Sequence, residues 1–144
     1  MAAKGSEGRV SGSCLCGAVR FEVELPTLLC VHCHCTMCRR HHGAAFVTWF
    51  TVPKAQWRVT EGGEELRRHA SSDHAFRSFC SVCGSSLFFE TAERAEQVDV
   101  VLSNMDGAID RAPQLHIYFD DRVDWLEVGD SLPRLGGETG MEAP

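Results

Sequence analysis

Eight cysteines in 144 residues are the side chains whose number and spacing ask for a chemical role. They fall into three runs: Cys14-Leu15-Cys16, then Cys30 to Cys38, then Cys80-Ser81-Val82-Cys83-Gly84. The first and third runs each read as a tight turn that can point two thiolates the same way. Together they offer four sulfurs. A tetrahedral Zn²⁺ takes four thiolates at about 2.3 Å, and such a closed site is structural because no position is left for a substrate. Linking segments more than sixty residues apart, it would contribute on the order of 10 kcal/mol to folding. Gly84 strengthens the second pair, since a glycine after the ligands permits the turn that directs backbone amides toward sulfur. The competing account, buried small apolar side chains or two disulfides, explains local pairing of this density less well.

The middle run is denser. Cys33, Cys35 and Cys38 form Cys-x-Cys-x-x-Cys, with His32 and His34 interleaved and His41 and His42 following. Three thiolates can meet at one ion. If Cys30 stays out, the ion keeps a fourth position for water or a substrate sulfur, which is the arrangement of a catalytic zinc; if Cys30 joins, the site is closed. Three thiolates around Zn²⁺ leave a net −1, which weakens it as a Lewis acid but suits it to exchanging thiolates. Arg39 and Arg40 stand next in sequence, either as a solvated basic turn or to offset that charge and receive an anionic substrate. His34, His41, His42, Asp73, His74 and His116 are all chemically eligible as general acid or base, and the sequence fixes no distance that would choose among them.

These residues need a frame. Val19, Phe21, Val23 and Leu25 alternate with Arg20, Glu22 and Glu24, the period of a half-buried strand. Further strand-like runs are 44–51, 56–60, 64–69, 74–79, 86–89, 98–102, 114–119 and 123–128, with turn signals at Pro53, Gly62-Gly63, 71–73 and 104–107. Only 36–42 and 91–97 read as helical turns. Many short strands predict a mostly β, antiparallel domain over 10–128. Residues 1–9 and the Gly-, Pro- and acid-rich 129–144 read as a flexible N-terminus and an exposed, flexible C-terminal tail.

Hydrophobic residues at 44% and charged residues at 24% are globular values. Fourteen Lys and Arg against twenty Asp and Glu give −6, so there is no basic field to attract nucleic acid. The opening residues lack an apolar signal core, and no run approaches a membrane span. A cytoplasmic, reducing setting is therefore the expectation, in which clustered cysteines favour metal or catalysis over disulfides.

Three motifs in this order resemble the glutathione-dependent formaldehyde-activating enzyme (GFA) family, which includes the centromere protein V domain. They are Gly12-Ser13-Cys14-Leu15-Cys16-Gly17, then Cys33-His34-Cys35-Thr36-Met37-Cys38-Arg39 with His42-Gly43-Ala44-Ala45-Phe46, then Phe79-Cys80-Ser81-Val82-Cys83-Gly84. The resemblance implies a β-tent fold, a carbon–sulfur lyase and two zinc ions. It places the structural zinc on Cys14, Cys16, Cys80 and Cys83 and the catalytic zinc on Cys33, Cys35 and Cys38. It also implies glutathione as cosubstrate, with a small-molecule thiol adduct such as S-hydroxymethylglutathione as partner. Arg39 and Arg40 are the candidate glutathione contacts. The alternative is a non-enzymatic zinc-stabilised β module that binds a protein partner, which a closed second site containing Cys30 would favour.

Overall fold

The alternation around Phe21 needs a second surface to bury against, and the rest of the chain supplies it. The computed structural model describes residues 8–144. Its elements in order are β1 (Arg9–Ser13), β2 (Arg20–Glu24), β3 (Leu29–Cys33), α1 (Thr36–His42), β4 (Val47–Pro53), β5 (Trp57–Glu61), β6 (Leu66–Ser72), β7 (Ala75–Cys80), β8 (Ser86–Thr91), β9 (Gln97–Val101) and β10 (Leu115–Ile117). A three-stranded sheet runs β1-β2-β5, and a seven-stranded sheet runs β10-β3-β4-β9-β8-β7-β6. Neighbouring strands are antiparallel, except that β10 lies parallel to β3. The mostly β, antiparallel class read from the sequence is the class observed. Among the described residues, no helix is long and apolar enough to cross a membrane.

The main core lies between the sheets. Phe21 and Val23 from the small sheet, with Val19 just before β2, are buried with Phe50, Val52, Leu87, Phe88, Val98 and Val100 from the large one. Phe21 meets Phe88 edge to face at 4.9 Å between ring centroids, and Trp57 meets the same ring at 5.0 Å. The central strands also bury their other face, where Val31, Cys33, Val47, Trp49 and Val101 form a second apolar cluster with Cys38 of α1. Strands buried on both sides read as near-continuous apolar runs, as 47–52 does.

One expectation needs correction: 123–128 reads as a strand, yet no strand forms there, and Trp125 is 71% exposed. Most residues of the segment from Gly129 are exposed. The tail is tied to β10: His116 N–H donates to the Pro133 carbonyl, Leu135 N–H to the His116 carbonyl, and Phe119 N–H to the Leu135 carbonyl. The short outer edge of the sheet leaves backbone groups that need partners, and a polar segment can supply them without apolar side chains. Arg9, assigned to the flexible N-terminus, opens β1; the remainder of that expectation, before Gly8, lies outside the described residues.

Gly62 adopts φ +73°, and a Cβ there would collide with the Ala18 carbonyl oxygen. Gly84 has φ +80° with open space around it. Gly84→Ala should therefore cost only the left-handed penalty of about 1–2 kcal/mol, and Gly62→Ala clearly more, read from urea unfolding midpoints of the metal-loaded protein.

Candidate metal centres and the adjoining histidine cluster

The first pair of cysteines occupies the turn from β1 to β2, and Cys80 and Cys83 flank the turn from β7 to β8. Their four sulfurs all lie within 4.8 Å of one another. Cys14 Sγ is 3.6 Å from Cys16 Sγ, which is 3.9 Å from Cys80 Sγ. Four sulfurs at about 2.3 Å from one tetrahedral ion would stand about 3.8 Å apart, so the spacing fits a metal. It is far from a disulfide bond of about 2.05 Å, and all eight cysteines are free thiols. The Val19 amide donates to Cys14 Sγ at 3.3 Å and the Val82 amide to Cys80 Sγ at 3.4 Å. Such donors stabilise thiolates. The Ser85 hydroxyl, 3.2 Å from Cys83 Sγ, holds that thiol down to about 5.

The second group is built at a strand-to-helix junction. Cys33 ends β3, Cys35 is the N-cap of α1 with its sulfur accepting from the Cys38 amide at 3.3 Å, and Cys38 is buried in the first turn. An N-cap and the third helical position face the same way, so the x-x spacing brings their sulfurs together. Gly43 closes the helix in the left-handed conformation. These three sulfurs also lie within 4.8 Å of one another. Hydrogen bonds from its two sulfur neighbours push Cys35 down to about 2, while Cys33 is pushed strongly up by the same neighbours.

Cys30 does not join them. Successive side chains of a strand point to opposite faces, and Cys30 lies in the main core while Cys33 lies in the second cluster. Burial raises its thiol to about 11, as for a packing residue.

The charge partner of the trio is one that sequence reading missed. Arg77 on β7 is only 5% exposed, its Nη1 is 3.5 Å from Cys38 Sγ, and its guanidinium stacks on Phe89 at 4.9 Å. No carboxylate pairs with it among the described residues. A buried cation needs an anionic neighbour, and the sulfurs are the group at hand. The candidates Arg39 and Arg40 sit farther out: Arg39 donates to the Asp121 carbonyl at 2.8 Å, and Arg40 is exposed. The only sequence signal for Arg77 was a charged residue inside a strand-like run.

The eligible acids and bases separate. Asp73 is exposed, and exposed His74 pairs with Glu93. His34 and His116 are each 1% exposed, with His34 Nε2 2.8 Å from His116 Nδ1 and His116 Nε2 3.0 Å from Asp130. Burial first, and the nearby His116 next, lower His34 to about 4. His41 and His42, half-buried with unpartnered Nε2 atoms, line a cavity of about 470 Å³ with Phe46, Ser85, Ser86 and Asn104. It adjoins the residues that follow Cys38 in α1 and those that follow Cys83.

The chain as a whole has known relatives. A family model described as glutathione-dependent formaldehyde-activating enzyme matches residues 9–121. The chain belongs to the GFA family. Among its relatives, a Halomonas elongata protein named "Putative glutathione-dependent formaldehyde-activating enzyme" is 29% identical over 83% of this chain and 80% of its own. A Schizosaccharomyces pombe protein named an uncharacterized lyase is 38% identical over 54% of this chain and 55% of its own. A crystal structure of a Rhodobacter sphaeroides protein superposes with a TM-score of 0.59 at 30% identity, covering 68% of this chain and 89% of that one. The GFA chain is thus a member of an enzyme family, and its matched region ends before Asp130.

Replacing Arg77 by Met should leave the four-cysteine group unaltered and weaken metal binding at the trio by about 10-fold or more. Chelator competition, resolved into two steps, measures both.

Proposed function

We propose that this chain is a zinc-dependent carbon–sulfur lyase acting on glutathione adducts of small electrophiles, with S-hydroxymethylglutathione as the reference substrate. The observation that carries the reading is the Cys33, Cys35 and Cys38 trio, close enough to share an ion while Cys30 is turned to the opposite face. Three protein ligands leave a fourth position for an exchangeable group. The names borne by the family and by its Halomonas and Schizosaccharomyces relatives support the glutathione, formaldehyde and lyase parts.

In this reading Cys14, Cys16, Cys80 and Cys83 hold a structural zinc. When bound at the trio, zinc supplies a Lewis acid that can hold a thiol as thiolate or polarise an aldehyde oxygen. The chain's own residues do the rest. Arg77 balances the excess negative charge of three thiolates. Val47, Trp49 and Val101 pack beside Cys33 and Cys38 and keep that side dry. The cavity is within the usual range of roughly 300–1,000 Å³ for small-molecule sites, and its serine, asparagine and histidine lining suits a peptide-like thiol. Arg40, with no side-chain partner among the described residues, is freer than Arg39 to meet a glutathione carboxylate. The alternative of a non-enzymatic module drew its support from Cys30, and a Cys30 packed in the main core no longer lends it.

Exchange NMR of glutathione, formaldehyde and their adduct tests the assignment. The wild-type chain should accelerate adduct cleavage and formation. Cys38→Ser should keep its fold by circular dichroism and fall to the uncatalysed rate, and Cys30→Ala should stay active. Cys80→Ser should lose roughly 10 °C or more of melting temperature. A wild-type chain that leaves exchange at the uncatalysed rate would overturn the lyase reading.

A further inference from the structure

Two histidines stand side by side on the parallel pair that forms one edge of the large sheet. His116 of β10 is the register partner of His32 of β3, and their rings lie 4.8 Å apart with a tilt of 31°. Asp130 reaches the same place from the C-terminal segment. One donor atom from each of the three lies within 4.8 Å of the others. Successive residues of a strand alternate in face, so β3 carries His32 on the side opposite to Val31 and Cys33, which belong to the second apolar cluster. The group is therefore separate from the sulfur trio.

Each member is also held from behind. His32 Nδ1 is 2.8 Å from the Thr48 hydroxyl, and its Nε2 has no hydrogen-bond partner among the described residues. His116 Nδ1 is 2.8 Å from His34 Nε2, and its Nε2 faces the two Asp130 oxygens at 3.0 and 3.1 Å. The Leu132 amide donates to Asp130 Oδ1 at 3.0 Å. Outer hydrogen bonds of this kind orient the ligands of a metal. Ligand atoms roughly 2.1 Å from one ion, and roughly 90–110° apart as seen from it, stand about 3.0–3.4 Å from each other. The separation of His116 from Asp130 fits. A histidine–aspartate hydrogen bond accounts for two of the three groups, and gives no reason for His32 to stand beside them with a nitrogen unpartnered.

We propose that His32, His116 and Asp130 form a third metal site, which takes a divalent ion such as Co²⁺, Ni²⁺ or Zn²⁺ on two imidazole nitrogens and a carboxylate and fastens the C-terminal segment to the edge made by β10 and β3. Imidazole and carboxylate suit these ions. His116 is 1% exposed, whereas His32 is half-buried and the Asp130 side chain is 41% exposed, so an ion enters from the Asp130 side. One carboxylate against three or four thiolates makes this the weakest of the three groups. Protein dialysed free of loose metal therefore keeps its sulfur-held ions and takes up the further one from solution. Asp130 lies beyond the region shared with the family model, which ends at residue 121. It arrives here because Pro133 and Leu135 pair with the backbone of His116. The site does not depend on lyase chemistry.

Cobalt alone is the probe. Dialysed protein is titrated with Co²⁺, and native mass spectrometry counts the metal. The wild type should bind one Co²⁺ beyond the zinc it already holds, with a visible spectrum free of sulfur-to-cobalt charge transfer and with paramagnetically shifted ring signals from His32 and His116. Amide exchange at Leu132 and Leu135 should slow as the ion binds. Asp130→Asn and His32→Gln, folded by circular dichroism and with their zinc retained, should lose the added ion. Thr48→Val, which removes only an outer hydrogen bond, should hold it about 10-fold more weakly.

No gain over the zinc already held, or Co²⁺ that enters only by displacing zinc from the sulfurs, would overturn the site. So would an added ion kept at full affinity by either Asp130→Asn or His32→Gln. If both variants unfold, the wild-type ring signals decide, and His32 and His116 unshifted by bound Co²⁺ would place the ion elsewhere and overturn the assignment. An added ion that leaves exchange at Leu132 and Leu135 unchanged would overturn the fastening role.

Discussion

Four sulfurs carried on two turns, one from each sheet, are the constraint on which the rest depends. The turn after β1 belongs to the small sheet and the turn after β7 to the large one, yet their thiols lie within 4.8 Å. Four thiols alone would not hold this spacing against charge repulsion once ionised, and a divalent ion would. Joined there, the sheets clamp Phe21 and Val23 over Phe88 and Val100. That clamp fixes the face of the large sheet from which β3 delivers Cys33.

Strand parity then does the chemical sorting. Cys30 and Cys33 are three residues apart, so one strand sends them to opposite faces. The first becomes core, and the second joins Cys35 and Cys38 at the start of α1. Arg77 reaches the same face from β7, and its burial without a carboxylate among the described residues is tolerable because the sulfurs carry the opposing charge. The two sulfur groups therefore differ in kind: one brings four sulfurs together, and the other brings three with a guanidinium beside them.

Much of this was legible in the sequence. The pairing of Cys14 and Cys16 with Cys80 and Cys83 could be read because each pair is local. The β2 pattern was plain because only one of its faces is buried. What escaped depended on tertiary register. The run from Leu29 to Cys33 carries strand parity, but its interleaved cysteines and histidines hide the alternation, so the exclusion of Cys30 waited for the fold. Arg77 has no spacing relation to Cys38. Asp130, His116 and His34 are far apart in sequence, and the segment carrying Asp130 holds its place through backbone pairing, which composition does not reveal.

The central claim is that the chain holds one closed and one open sulfur-ligated zinc. Zinc X-ray absorption on the purified protein, with the metal counted on the same sample, tests it most directly. The account predicts two zinc ions per chain with roughly 3.5 sulfurs per zinc on average and the remainder of the shell from a lighter atom. A single zinc, or two zincs with four sulfurs each in the absence of added thiol, would contradict it.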